Sequence, residues 1–423
     1  MKGRDADRGA RAIAPPPAPP SFARRLRSVG ITGTNGKSST TTLVAALLGA
    51  LAKPVAATTT LGSYLDAEPI DAPKTYEGFI ETMRRCVDSG GKFAAVELTS
   101  EALARGFARA WPCEVGVFTN LTRDHLDAHG SAEHYLASKA QLFMQLPSHG
   151  TAVLNGCDPA SELLAEVIPN GVRIVRYGVP SRGTPQHVLD VAATRVSLSW
   201  EGTRIELAPS PLLGPLFRGT PPVLSIRAIG DVYAENALAA LCAALAMGVP
   251  MEDAVTTLAA VRFPAGRFEV VADDPHVVVD YAHTPDALER TLRAARRLCE
   301  GTLTVVFGAG GNRDREKRGP MGNAARLADR VVLTSDNPRD EDPARIAASI
   351  REGLGDHARV EVELDRSAAI VLALRDASPR DVVVIAGKGH ETDQTIGGEK
   401  RPFSDVTVVT DALAGRVARR APL

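Results

Sequence analysis

Lys37 and Ser38 close the run Gly33-Thr34-Asn35-Gly36 and are followed by Ser39. A lysine and a hydroxyl behind a glycine-rich turn can hold a phosphate chain, the lysine as a point charge and the hydroxyl as a ligand to Mg²⁺. Backbone N–H groups of such a turn, and the positive end of a following helix, add to the attraction. A competing reading is a polar turn before an ordinary helix. Glu97 closes the apolar run Phe93-Ala-Ala-Val and is suited to hold the same Mg²⁺. The loop from Asn120 to Gly130 carries Arg123, Asp124, His125, Asp127 and His129. Its composition fits a metal site, an acid–base cluster or a polar loop. Three further segments, Gly308 to Asp314, Ser335 to Arg339 and Gly387 to Glu391, supply arginines for a carboxylate and a glutamate for an ammonium.

These residues need elements to place them. Val29 to Thr32 reads as a strand end, and Leu43, Val44, Leu47, Leu48 and Leu51 recur at helical spacing. Strands are expected at Pro54 to Thr60, Phe93 to Leu98, Val115 to Thr119 and Thr151 to Leu154, and helices at Phe79 to Ser89 and His134 to Leu146. That alternation predicts an α/β fold with a mostly parallel sheet, whose C-terminal strand ends would hold Gly33, Glu97 and Asn120. From Val188 to Ile229 short alternating segments predict a hairpin-rich insert, and helices follow at Asn236 to Leu245 and Met251 to Ala260. A second, Rossmann-like α/β unit starts near Arg267, with strands at Val277 to Val279, Leu303 to Phe307, Arg330 to Thr334 and Asp381 to Ala386. Thr284-Pro285 fits the cap and first turn of a helix.

The chain of 423 residues has room for several cores, and 49 basic against 50 acidic residues give no argument for nucleic acid or a membrane surface. No apolar run reaches the roughly 20 residues of a membrane span. Five scattered cysteines without C-x-x-C spacing read as reduced cytoplasmic thiols. The expected division is a disordered proline-rich tail over residues 1–27, an ATP-binding domain over 28–264 and an amino-acid-binding domain over 265–423.

Gly33-Thr-Asn-Gly-Lys-Ser-Ser39 resembles the phosphate loop of the Mur ligase family, the ATP-dependent amide ligases of peptidoglycan assembly. Thr119-Asn-Leu-Thr-Arg-Asp-His-Leu-Asp-Ala-His-Gly130 is similar to a second family segment, most like the branch that adds meso-diaminopimelate. The resemblance runs from about Val29 to the C-terminus. It implies ATP and Mg²⁺ as cofactors and places Asn120 and His125 at the nucleotide and metal. In Tyr135 to Phe143 it implies a carbamylated Lys139 as an anionic Mg²⁺ ligand, where the residue pattern alone reads as a lysine reaching solvent from an apolar helix. Asn155 and Asp158 match the turn that approaches the nucleotide, and Asn236 matches one of two family asparagines. Gly266-Arg267-Phe-Glu269 resembles the opening of the family's C-terminal domain. In Val277 to Leu288, Asp280 and His283 would reach the ATP phosphates. Arg313, Asp336, Asn337, Arg339, Gly387 and Glu391 would bind meso-diaminopimelate.

Four positions depart from the family pattern. Asp71 to Thr75 replaces the segment that helps hold the acceptor, Glu101 stands for a histidine, Tyr233 for an asparagine and Asp393 for a tyrosine. The phosphate loop begins at residue 30, so the expectation is a chain without the family's N-terminal uridine-binding domain, or one with a truncated start site. The expected reaction joins an amino acid to a small-molecule carboxylate through an acyl phosphate, with Lys37, Glu97, Lys139 and His283 as the catalytic set. Other readings are a ligase acting on a non-UDP acceptor, a folate- or cyanophycin-type ligase, or a non-catalytic ATP-binding partner of another protein. Oligomeric state is not legible.

Overall fold

The structure is a computed structural model and describes residues 17–122, 131–213 and 222–420. His125 therefore lies outside the described residues. The described chain divides into two compact units, one drawn from Met1–Ala192, Ser210–Arg218 and Glu235–Thr257, the other from Ala193–Pro209, Gly219–Ala234 and Leu258–Leu423.

In the first unit the strands are β1 (Arg27–Thr32), β2 (Val55–Thr58), β3 (Ser63–Leu65), β4 (Glu68–Ile70), β5 (Phe93–Glu97), β6 (Val115–Phe118), β7 (Thr151–Asn155) and β8 (Arg173–Gly178), followed by the start of β9 (Val191–Ser199). They are ordered β8-β7-β6-β1-β5-β2-β3-β4. All neighbours from β8 to β2 run parallel, and only the β2-β3-β4 edge is antiparallel. Strand β1 is flanked by β5 and β6, with Ile31 beside Glu97 and Thr32 beside Phe118. The loops after these three strands therefore leave one edge of the sheet, where α/β folds bind ligands. Strand β8 was not foreseen, because Arg173 and Arg176 interrupt its apolar pattern.

The first core packs Met83, Cys86, Val96, Phe118, Leu142 and Phe143. Trp111 lies edge-on to Phe79 at 4.9 Å and donates from Nε1 to Ser28 Oγ at 3.0 Å, so its buried polar atom is satisfied. Ser21–Arg25, inside the expected tail, forms a 3-10 turn, and Phe22 and Ala23 pack against this core.

The second unit contains the rest of β9, with β10 (Gly202–Leu207) and β11 (Val223–Ile226) as an antiparallel meander, in keeping with the expected hairpin insert. Its main strands are β12 (Glu269–Asp273), β13 (His276–Asp280), β14 (Leu303–Phe307), β15 (Arg330–Leu333), β16 (Val360–Val362) and β17 (Val382–Ala386), in the order β12-β13-β17-β14-β15-β16. Every pair except β12 with β13 is parallel. Strands β18 (Asp393–Ile396) and β19 (Glu399–Pro402) make a separate hairpin. Thr284 caps the helix Pro285–Leu298 by accepting from the Ala287 N–H, as its sequence indicates. Among the described residues no helix is long and apolar enough to cross a membrane.

Candidate active site

In the first unit the site grows from the end of β1. Gly36 has φ +83°, and a Cβ there would run into the Asn236 carboxamide, so only glycine fits this turn beside the buried Asn236. The helix Lys37–Leu48 then starts. A matching loop after β6 holds the turn from the other side. Asn120 Oδ1 accepts from the Asn35 N–H at 2.9 Å, and Asn120 Nδ2 donates to the Asn35 carbonyl at 3.1 Å. Thr119 Oγ1 donates to that carbonyl at 2.7 Å, and Thr34 N donates to the Asn120 carbonyl at 2.8 Å. The Thr34 hydroxyl accepts from Thr122 N at 3.0 Å and from Tyr135 Oη at 3.2 Å.

Asn155 and Asp158 brace this second loop. Asn155 Nδ2 donates to the Thr119 carbonyl at 2.8 Å, and Asp158 Oδ2 accepts from Leu121 N at 2.7 Å. Asn120, Asn155 and Asp158, read from the sequence as contacts of the nucleotide, are thus placed as props of the loop that would bind it. Lys139 differs from the residue-pattern reading more sharply. It is buried rather than solvent-reaching, donates from Nζ to the Gly33 carbonyl at 2.7 Å, and lies 4.1 Å from the Tyr135 ring centroid.

The residues at the front of the loop come together as their types suggest. Lys37 Nζ donates to the Thr34 carbonyl at 2.8 Å. Ser38 Oγ donates to Glu97 Oε2 at 2.7 Å, and Thr60 N donates to the same oxygen at 3.1 Å. One hydroxyl and one carboxylate at a helix N-terminus suit Mg²⁺, which keeps waters and takes its other ligands from phosphates. No cluster of three His, Cys, Asp or Glu side chains exists among the described residues. Lys74, in the departing Asp71 to Thr75 segment, donates to the Thr60 carbonyl at 2.7 Å.

In the second unit Asp280 ends β13 and is buried. It accepts from Phe268 N at 2.6 Å, Ala282 N at 2.9 Å and Thr291 Oγ1 at 2.9 Å. Burial pushes its carboxyl above the ordinary value, against the opposing pull of these donors and of Arg267. Asp280 thus orders the Arg267-Phe268 turn, where Phe268 has φ +49° and the Arg267 guanidinium lies 4.7 Å from the Tyr281 ring centroid. His283 Nδ1 is 2.8 Å from the Tyr281 carbonyl, an acceptor, which puts the proton on Nδ1. Tyr233, the departure from asparagine, is buried edge-on to Phe263 at 5.3 Å.

The loops after β14, β15 and β17 leave one edge of the second sheet. Arg339, at φ +53°, donates from Nη1 to the Gly311 carbonyl at 2.7 Å. Asn337 Nδ2 donates to Glu391 Oε2 at 3.0 Å, and the same oxygen accepts from Lys388 Nζ at 2.8 Å. Gly387, at φ +116°, passes so close to the Asp336 carboxylate that a Cβ would crowd it. Asp336 is buried, and its carbonyl accepts from Gln394 Nε2 at 2.7 Å. Arg313 is exposed on a neighbouring loop. That loop is tied to Arg339's by Glu341, which accepts from Asn312 N at 2.6 Å and from Arg318 Nη2 at 3.1 Å.

Sequence reasoning passed over Lys388, although it stands inside Gly-Lys-Gly-His-Glu391. It also missed the fully buried pair of Arg366 and Asp405, bonded twice at 2.7 and 2.8 Å. Nothing in their spacing of 39 residues signals that contact.

Comparison with known proteins identifies the family. A model of the Mur ligase middle domain matches residues 31–244, and one of the Mur ligase glutamate ligase domain matches residues 266–389. The UDP-N-acetylmuramoyl-L-alanyl-D-glutamate–2,6-diaminopimelate ligase of Thermosynechococcus vestitus is 42% identical over 404 residues, covering 93% of this chain and 78% of that protein. The enzyme of the same name from Aquifex aeolicus is 39% identical over 398 residues, covering 92% and 78%. A solved structure of a ligase with that name superposes with a TM-score of 0.65 at 33% identity, covering 93% of this chain and 79% of its own. The chain belongs to the Mur ligase family of ATP-dependent, amide-bond-forming ligases.

Proposed function

We propose that the chain joins meso-diaminopimelate to the free glutamyl carboxylate of UDP-N-acetylmuramoyl-L-alanyl-D-glutamate, with ATP converted to ADP and phosphate. The observation that carries this reading is the opposite-charge cradle of the second unit. Arg339 offers a guanidinium and Glu391 a carboxylate at one sheet edge, as the amino-acid end of a zwitterion needs. Arg313, Asp336, Asn337 and Gly387 complete it. The names of the relatives point to the same two substrates. The family-model limits support a nucleotide-binding domain over 28–264 and an amino-acid-binding domain over 265–423. ATP use, with five thiols free of disulfides, supports a cytoplasmic setting.

The acceptor carboxylate attacks the γ-phosphorus, forming an acyl phosphate and releasing ADP. The amine then attacks the acyl carbon, the phosphate departs with the bonding electron pair, and the nitrogen loses a proton. Mg²⁺ would supply charge neutralisation at the phosphates, with Ser38 and Glu97 to hold it. Lys37 adds a fixed positive charge, and the turn Gly33 to Gly36 presents backbone N–H groups. His283, with Nδ1 engaged by the Tyr281 carbonyl, keeps Nε2 as its other ring nitrogen for an acid–base or phosphate role. Burial of Lys139, with its Nζ against the Gly33 carbonyl, supports the family's carbamylated lysine at this position.

L-Lysine has both amines of meso-diaminopimelate but lacks the second carboxylate. It should be used with kcat/KM lower by about 100-fold or more, because Arg339 then loses its partner. Initial rates of ADP release with each amino acid check this. Equal use of the two would contradict the diaminopimelate reading.

A further inference from the structure

Lys388 follows Gly387 at the end of β17 and is 0% exposed. It cannot touch a substrate. Its ammonium instead joins two groups that can. Nζ donates to Glu391 Oε2 at 2.8 Å and to Asn337 Oδ1 at 3.2 Å. Asn337 Oδ1 accepts a second bond from Thr395 N at 2.9 Å, and Asn337 Nδ2 donates to Glu391 Oε2. Two donors at Oδ1 and one acceptor at Nδ2 decide which way the carboxamide faces. Glu391 Oε2 is therefore saturated by Lys388 and Asn337, whereas Oε1 has no hydrogen-bond partner among the described residues and the side chain is 31% exposed. The turn is closed by Glu391 N donating to the Lys388 carbonyl at 3.0 Å.

We propose that Lys388 is a positioning residue for the amino-acid substrate. Its buried ammonium locks Glu391 and Asn337 into one unit and leaves Glu391 Oε1 as the single oxygen that receives the ammonium of an incoming diamino acid. Without Lys388, Glu391 keeps its charge but is held at Oε2 only by the neutral Asn337 Nδ2 donor, so it turns toward water more readily and the ammonium meets a less ordered acceptor. This inference rests on the proposed amino-acid site and deepens it.

The test compares the parent chain with K388M, E391Q and the double variant in ADP release. Each is assayed with meso-diaminopimelate, L-lysine or L-glutamate. K388M is expected to raise KM for the diamino acid that the parent uses by about 30-fold, the loss of an ordered charge-assisted bond. KM for ATP should stay that of the parent. The double variant should be no worse than E391Q, because Lys388 acts through Glu391. Glu391 is partly hydrated, so K388M should fold; K388A, which likewise removes the donor, replaces it if the melting curve shows otherwise. E391Q leaves a buried cation among neutral acceptors and should melt lower than K388M. An unchanged KM in K388M or K388A, or additive losses in the double variant, would overturn the role of Lys388 alone. A parent that uses only L-glutamate, or none of the three, would overturn both this role and the diaminopimelate reading.

Discussion

Replacing Lys37 with alanine is expected to lower ADP formation by about 10²- to 10³-fold while leaving the protein folded. The magnitude is that of removing one preorganised donor from developing charge. Lys37 sits at the first position of the helix Lys37–Leu48, and its Nζ donates to the Thr34 carbonyl at 2.8 Å. Alanine is the best helix former, so the helix start loses little. The loop is also held without Lys37 by Asn120 and Thr119, which bond Asn35. Coupled-enzyme ADP assays with a parallel melting curve separate the two effects. Parental ADP release in K37A would remove Lys37 from the phosphate site.

Replacing Asp405 with asparagine is expected to destabilise the second unit by about 3–5 kcal/mol, the cost of leaving a buried charge without its partner. Arg366 and Asp405 are both fully buried, and Arg366 Nη2 also donates to the Ala386 carbonyl at 3.0 Å. Burial lowers the proton affinity of Arg366, but Asp405 outweighs it, so the guanidinium is held above its ordinary value. A guanidinium does not give up its proton in a protein, so the cation stays charged when its partner is neutralised. The same contacts tie the last helix, Asp405–Arg420, to the residues just before Gly387 and, through the Ser335 carbonyl at 3.4 Å, just before Asp336. Urea unfolding of D405N measures the loss. The double variant R366M/D405L, which removes both charges, should recover most of it. A loss below about 1 kcal/mol in D405N would mean that the pair is not held in the low-dielectric surroundings found here.

The parts of this protein that were legible in the sequence are those written locally. Gly36-Lys37-Ser38 marks a loop and a helix start, and Thr284-Pro285 marks another. The parallel strands β5, β6, β14 and β17 are nearly continuous apolar runs, so their C-terminal ends could be located and the site residues after them grouped. Strand β8 was missed because arginines break its pattern, and β16 because Val360–Val362 is short and partly exposed. Within the site, residue types indicated which side chains belong together, but not their division of labour. Asn120 and Asp280 look like ligands in one dimension; folded, they hold backbone turns. Lys139 and Lys388 look like surface cations because a lysine's burial is decided by distant partners, here Gly33 for one and Asn337 for the other. The Arg366–Asp405 pair depends on the meeting of two helices that no local periodicity records.

ADP release by the purified chain, with Mg²⁺ and ATP, tests most directly whether ATP cleavage is coupled to amide formation here. The full reaction contains meso-diaminopimelate and UDP-N-acetylmuramoyl-L-alanyl-D-glutamate, and each is omitted in turn or the acceptor replaced by the free dipeptide. ADP release that requires both substrates and matches the tripeptide product one for one is the predicted result. ADP release that proceeds without the amino acid would mark a simple hydrolase, and activity on the free dipeptide alone would contradict the proposed acceptor.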